Sequence, residues 1–232
     1  MGAEAIAAIR RQVTACRRCP RLAAYGVEVA ATRRRAFADS VYWGRPVPGF
    51  GDANAHLLIV GLAPAAHGAH RTGRMFTGDR SGDFLFAALH RAGYANQAES
   101  RAAGDGLRLR GAYLTAAARC APPGNLPRPE EFAACRPFLE AEIAALPRLR
   151  AVLTLGRLAH QQFLAAARSL GMAQRPAVFP FAHGAAYRLD NGWRLVACYH
   201  PSQQNTFTGR LTAAMLDAAL KAVAAGRRGR PS

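Results

Sequence analysis

Three short, unbroken apolar runs, each followed by a helical pattern, constrain this chain more than any other feature. They are "HLLIVG" (56–61), "AYLTAAA" (112–118) and "AVLTLG" (151–156). Runs of this length without polar alternation read as buried strands. Two further strand-like runs lie in "AAYRLDNGWRLVACY", around Asn191-Gly192, the signature of a tight hairpin. Helical patterns fill the intervals. One runs from Glu4 to Ala15, with Ile6, Ile9 and Val13 on a common face. "SGDFLFAALHRAG" (81–93) is a helix with Ser81 as its N-cap and Gly93 as its stop. Residues 128–146 open on Pro129 and two glutamates, a good helix start, and Pro137 is expected to kink the helix. A helix follows the third run as far as Leu170-Gly171, and a last one spans Thr208 to Ala225. Residues 36–55, rich in Gly, Pro and aromatics, read as a long ordered loop.

Strands alternating with helices predict an α/β sandwich with a mainly parallel sheet. No repeat or linker divides the chain, so residues 1–232 are expected to form one domain, with the basic tail 226–232 disordered. No apolar run is long enough to span a bilayer and no signal-peptide core stands at the N-terminus, so a cytoplasmic address is expected.

In parallel α/β sheets, ligands bind beyond the carboxyl ends of the strands. The residues there are "GLAPAAHG", "RCAPPGN", "GRLAH" and "HPSQQN", and three of these four stretches are unusual. In "GLAPAAHGAHRTGRMFTGDRSGDF" (61–84), Gly61 and Pro64 turn the chain out of the strand. Phe76 stands just ahead of Thr77-Gly78-Asp79. An aromatic beside a carboxylate in a glycine-rich loop suits a flat ligand and an acid–base step; the plainer reading is a packed ring and a helix cap. With Ser81 as the cap, Asp79 is left for chemistry, and Asp83 falls in the helix's first turn as a dipole partner. His67 and His70 suit a solvated or phosphate-touching role better than a ligand role.

Charge narrows the partner. The formal net charge is +17, with only 14 acidic residues against 31 basic ones, and Lys221 is the only lysine. A GC-rich coding bias accounts for arginine over lysine but not for the scarcity of acids, so a polyanion such as nucleic acid is the expected partner. No G-x-x-x-x-G-K-[ST] loop is present, which argues against a phosphate-transferring enzyme.

Cys16 and Cys19 form a C-x2-C pair, and fourteen residues separate Cys120 from Cys135. Four thiolates suit a tetrahedral zinc site or an iron–sulfur cluster, and spacing alone leaves both open. Ligation would tie the N-terminal helix to the loop after the second strand. Cys198, in an apolar run, reads as a small buried hydrophobe.

Together, "YWGRPVPGFGD", "GLAPAAHGAHRTGRMFTGDRSGDF", "RCAPPGNLP" and "HPSQQNTFTGRLT" resemble the type-b (family 5) branch of the uracil-DNA glycosylase superfamily, in order and spacing, from Cys16 to the last helix. The resemblance implies a three-layer α/β/α sandwich around a four-stranded parallel sheet, here with an added hairpin strand. It implies a [4Fe–4S] cluster on Cys16, Cys19, Cys120 and Cys135, favoured over zinc, and the excision of deaminated bases from DNA; a monomer acting on double-stranded DNA is expected. Asp79, His200 and Asn125 are then the expected catalytic residues, and Gly61, Leu62, Ala63, Phe76 and Ala116 the expected base pocket. The chemistry agrees. A glycosylase extrudes its base, and Gln203, Gln204, Asn205 or Phe207 could fill the gap while Ser202 and Arg210 meet the backbone. His200 is placed to donate a hydrogen bond to the departing base, Asp79 to activate water, and Phe76 to stack on the ring.

Two departures matter. Other branches carry a polar or acidic residue after the first glycine, where Leu62 and Ala63 stand here. They also carry an asparagine at the end of the second strand, where Ala116 stands. Without a buried amide to reject a misfit base, the expected substrate range is broad: uracil, hypoxanthine and others. The alternative from another class is a non-catalytic iron–sulfur DNA-binding module, which leaves the aromatic, carboxylate and imidazole unexplained.

Overall fold

A computed structural model describes residues 2–225. The tail 226–232, expected to be disordered, lies outside the described residues. The elements in chain order are α1 (Gly2–Ala15), α2 (Pro20–Thr32), β1 (Phe50–Gly51), β2 (Leu57–Gly61), α3 (Ala69–Thr72), α4 (Arg80–Arg91) and β3 (Ala112–Ala116). There follow α5 (Pro129–Ala145), β4 (Ala151–Leu155), α6 (Arg157–Ser169), β5 (Ala186–Arg188), β6 (Arg194–Cys198), α7 (Gln203–Phe207) and α8 (Ala213–Ala224). Short 3-10 turns add to these, including Pro123–Asn125.

The sheet order is β1-β3-β2-β4-β6-β5. The inner four strands are parallel, with Gly61 in register with Ala116 and Leu155 with Cys198. The expected four-stranded parallel core is therefore present, and short antiparallel strands close both edges. The hairpin supplies β5 as foreseen; β1, inside the stretch read as loop, was not foreseen. Alternate residues of the inner strands enter opposite cores. Leu57, Ile59, Leu114, Leu153 and Val196 pack under α4 and α8. Leu58, Val60, Tyr113, Val152 and Leu195 pack under α1, α5 and α6. Strands covered on both faces need the apolar runs that the sequence shows. Ile6, Ile9 and Val13 are the buried stripe of α1, and Cys198 is fully buried in the first core, as read.

Three further expectations are corrected. Helix α2 was not anticipated; its Leu22, Gly26 and Val29 face inward, and Arg21 grips Glu131 of α5 through two hydrogen bonds of 2.8 and 2.7 Å. The last helix starts at Ala213, with the Thr212 hydroxyl capping it, because the preceding "QQNTF" forms the separate turn α7. Helix α4 begins at Arg80, its N-cap Asp79 lying two residues before the expected Ser81.

Candidate active site

The carboxyl ends of β2, β3, β4 and β6 lie on one rim, since the four strands are parallel. The loop from β2 to α4 supplies the aromatic. Phe76 has φ 52°, a left-handed backbone that is costly for a bulky residue. Two glycines make it feasible. A Cβ at Gly82 would lie 1.9 Å from the Phe76 carbonyl oxygen, and one at Gly61 would lie 2.7 Å from the ring.

A buried polar network behind the loop holds that shape. Arg74, 4% exposed, donates to both carboxylate oxygens of Asp105 at 2.8 and 2.7 Å, to Thr77 Oγ1 at 2.9 Å and to Ser100 Oγ at 3.0 Å. The Gly78 N–H donates to the Ser100 carbonyl at 2.9 Å. Burial would raise the Asp105 pKa, but Arg74 and three backbone N–H groups hold its carboxyl well below the usual range. Arg71 adds a strap, donating to the carbonyls of His67 (2.8 Å) and Gly78 (2.9 Å). Sequence reasoning missed this network, and spacings of 26 to 31 residues between partners offered no signal for it.

Asp79 has two jobs. One carboxylate oxygen accepts from the Gly82 N–H at 2.9 Å and caps α4. The other packs on Gly68, where a Cβ would lie 1.9 Å from it. Burial raises the Asp79 pKa above the ordinary value, against the N–H groups of Gly82 and Ser81. The result is a carboxylate more basic than usual. It lines a cavity of about 1180 Å³ together with His67, Asn125, Gln203 and Phe207. Asn125, at the end of its 3-10 turn, also has a positive φ of 59°. His67 is held by the Tyr42 hydroxyl at 2.9 Å, and His70 is buried against the Gly26 carbonyl at 3.0 Å, so neither is a free ligand.

His200 leaves the end of β6 with its ring 6.0 Å from that of Phe76, the planes tilted by 33°. Burial pushes its pKa down to about 4, so the imidazole is neutral near pH 7. Its backbone is fixed by Asn205, whose Nδ2 donates to the His200 carbonyl at 2.8 Å. Asn205 is thereby turned inward, while Ser202 caps α7 and Gln203, Gln204 and Phe207 stay exposed, Phe207 at 67%. Arg210 lies over the Tyr199 ring at 4.7 Å, beside His200 in a second concavity of about 260 Å³.

The structure thus pairs Phe76 with His200, seats Phe76 on Gly61, and gathers Asp79, Asn125, Gln203 and Phe207 on one cavity wall. Leu62 and Ala63 pack against Ala117, Ala118 and Phe132 in a small satellite core. Ala116 is 1% exposed in the same core as Phe76.

The four cysteines line a separate cavity of about 90 Å³: Cys16 and Cys19 between α1 and α2, Cys120 just past β3, and Cys135 inside α5. Burial, reinforced by the other cysteines, pushes the Cys120 thiol up to about 12. Burial pushes Cys135 to about 11, with Arg119 opposing. Beside them Arg119 and Glu142 form a buried pair at 2.6 Å, and Glu142 also accepts from the hydroxyls of Tyr113 and Thr115. Among the described residues, no three His, Cys, Asp or Glu side chains converge closely enough to hold a single metal ion.

An aromatic ring and an imidazole thus lie 6.0 Å apart beyond the ends of parallel strands, and a carboxylate with a raised pKa stands three residues after the aromatic. The family model of the uracil DNA glycosylase superfamily matches residues 48–224. The chain is 55% identical over 217 residues to the type-5 uracil-DNA glycosylase of Mycobacterium leprae, covering 93% of each chain. It is 54% identical over 203 residues to the Thermus thermophilus type-5 enzyme, covering 88% of this chain and 90% of that one. Against the Pyrobaculum aerophilum type-5 enzyme, identity is 46% over 210 residues, covering 90% and 88%. The chain belongs to the type-5 uracil-DNA glycosylases.

Proposed function

We propose that this DNA glycosylase removes uracil, hypoxanthine and related deaminated bases from double-stranded DNA. It hydrolyses the N-glycosidic bond of a nucleotide swung out of the helix and leaves an abasic site. The observation that carries this reading is the Phe76–His200 pair, rings 6.0 Å apart, with Phe76 against Gly61 at the end of β2 and His200 just past β6.

Each group then has a role set by its chemistry. The Phe76 ring offers a face on which any base can stack. The C1′–N bond breaks through an oxocarbenium-like sugar while negative charge builds on the base. His200, neutral with a pKa of about 4, donates an N–H hydrogen bond to a base oxygen and stabilises that charge without giving up its proton. The Asp79 oxygen not engaged in the helix cap takes a proton from the attacking water as its oxygen bonds to C1′. Asn125 lines the same cavity and can meet the edge of the base. The exposed Gln203, Gln204 and Phe207 fill the gap left in the duplex. With Ala116 buried and apolar opposite Gly61, no amide at that strand end rejects a misfit base, which favours a broad substrate range.

The cysteine cavity suits a [4Fe–4S] cluster on Cys16, Cys19, Cys120 and Cys135. The four cysteines line one cavity, and four thiolates are the donor set that holds such a cluster. Bound there, the group would cross-link the α1–α2 turn to β3 and α5.

Duplexes carrying uracil, hypoxanthine, xanthine or only normal bases, incubated with the protein and analysed for free base and alkali-labile sites, test the proposal. Release of uracil and hypoxanthine is expected. Uracil alone would overturn the broad range; no release would overturn the activity and leave a non-catalytic DNA-binding protein.

A further inference from the structure

We infer that a second groove, on the far side of α3 from the active-site cavity, binds the phosphodiester backbone of the DNA flanking the lesion. The inference rests on the proposed action on DNA but concerns residues outside the catalytic rim. The groove encloses about 610 Å³. Arg10, Arg11 and Arg17 line one wall, from the outer face of α1 and the turn that follows it. Trp43 and Arg45 line the other. No Asp or Glu lines it.

Helical spacing explains the first wall. Ile6, Ile9 and Val13 commit one face of α1 to the core, which turns Arg10 and Arg11 outward, where both are exposed. Trp43 remains 37% exposed although its ring rests on Gly73, where a Cβ would lie 2.9 Å from it. Arg45 sits 5.6 Å from the Trp43 ring centroid. Arg10, Arg11, Arg17 and Arg45 take part in none of the ion pairs formed among the described residues. A trench with guanidinium groups on both walls, an aromatic face and no counter-charge is complementary to a sugar–phosphate chain.

Position supports the same occupant. Thr72 and Gly73 border the groove, whereas His67, Gly68 and Arg71, on the preceding turn, border the active-site cavity. The loop near residue 100 repeats this, with Ser100 and Arg101 on the cavity and Ala103 on the groove. The two concavities therefore share two walls, and a duplex with its damaged nucleotide in one brings neighbouring phosphates to the other.

The test measures binding of the full-length protein to an undamaged duplex across a range of salt concentrations, with single-turnover base release followed in parallel. In Arg10→Ala/Arg11→Ala/Arg45→Ala, the slope of log K against log salt should flatten by about 2 to 3, since each lost phosphate contact removes about 0.9. The single-turnover rate at saturating enzyme should stay at the wild-type level. An Arg10→Lys/Arg11→Lys/Arg45→Lys protein should recover most of the slope, which separates lost charge from lost folding. In a Trp193→Phe background, Trp43 is the sole tryptophan. Its emission should change on adding duplex, and this response should disappear in the alanine variant. An alanine variant with the wild-type slope, or a Trp43 emission unmoved by duplex, overturns the inference while leaving the glycosylase reading intact. A wild-type protein that does not bind duplex overturns both.

Discussion

Gly68→Ala probes the water-activating role of Asp79 without altering the carboxylate. A Cβ on Gly68 would stand 1.9 Å from one Asp79 carboxylate oxygen, 2.8 Å from its carbon and 3.0 Å from its Cβ. The closest comfortable C···O contact is about 3.3 Å, so the oxygen must retreat by about 1.4 Å. Its partner oxygen is tethered to the Gly82 N–H at 2.9 Å, so the displacement also strains or breaks the α4 cap. Misplacing a reacting group by about 1 Å costs on the order of 10²-fold, or about 2.7 kcal/mol of barrier. Losing the cap costs about 1 kcal/mol, which in a protein of this size lowers Tm by about 2–4 °C. The expected variant therefore folds, binds uracil-containing duplex with unchanged affinity, and releases uracil about 10²-fold more slowly in single turnover. Asp79→Ala should lose at least as much, and adding Gly68→Ala to it should cost nothing further, because the two changes act through one carboxylate. Wild-type release by Gly68→Ala would refute the role. So would a double variant whose losses simply add.

Phe76→Ala should lower kcat/KM for uracil release by about 5- to 150-fold, since stacking on an aromatic is worth about 1–3 kcal/mol per base; steady-state release assays check this. The His200 pKa of about 4 lies below the ordinary 6.5, so the unfolded chain takes up a proton first as the pH falls. That stabilising contribution is complete above pH 6.5 and is lost on descending towards pH 4. Wild-type stability relative to His200→Gln should therefore drop by up to about 2 kcal/mol between pH 7 and pH 5, read by denaturant titration. A pH-independent difference would contradict the desolvated, neutral imidazole. Cys16→Ser should lose visible absorbance and bound iron and unfold at lower temperature; wild-type protein containing zinc and no iron would contradict the cluster.

The parallel core was legible because strands covered on both faces admit few polar residues, and "HLLIVG", "AYLTAAA" and "AVLTLG" have few, the buried Thr115 and Thr154 each being hydrogen-bonded. Helix α2 was not, because Gly26 interrupts "PRLAAYGVEVAAT". That glycine answers a tertiary demand, since a Cβ there would lie 2.9 Å from the His70 ring. Either Asp79 or Ser81 is an acceptable cap by residue type. The structure uses Asp79, whose carboxylate accepts the Gly82 N–H three residues on. That Asp79 and Asn125 share one cavity and Phe76 meets His200 follows from their loops leaving the same end of a parallel sheet, where ligands bind. What holds them was not legible: the Arg74–Asp105–Ser100–Thr77 cluster joins distant loops with no periodicity to betray it. The inward turn of Asn205 likewise depends on α7, a single turn whose cap, Ser202, resembles any loop serine.

The most direct test is the structure of the complex with a duplex bearing a non-hydrolysable uracil nucleotide. The account predicts the uracil outside the helix, its ring against Phe76, a His200 ring nitrogen within hydrogen-bonding distance of a uracil oxygen, and a water between Asp79 and C1′. A uracil still stacked in the duplex, or bound away from Phe76 and His200, would contradict it.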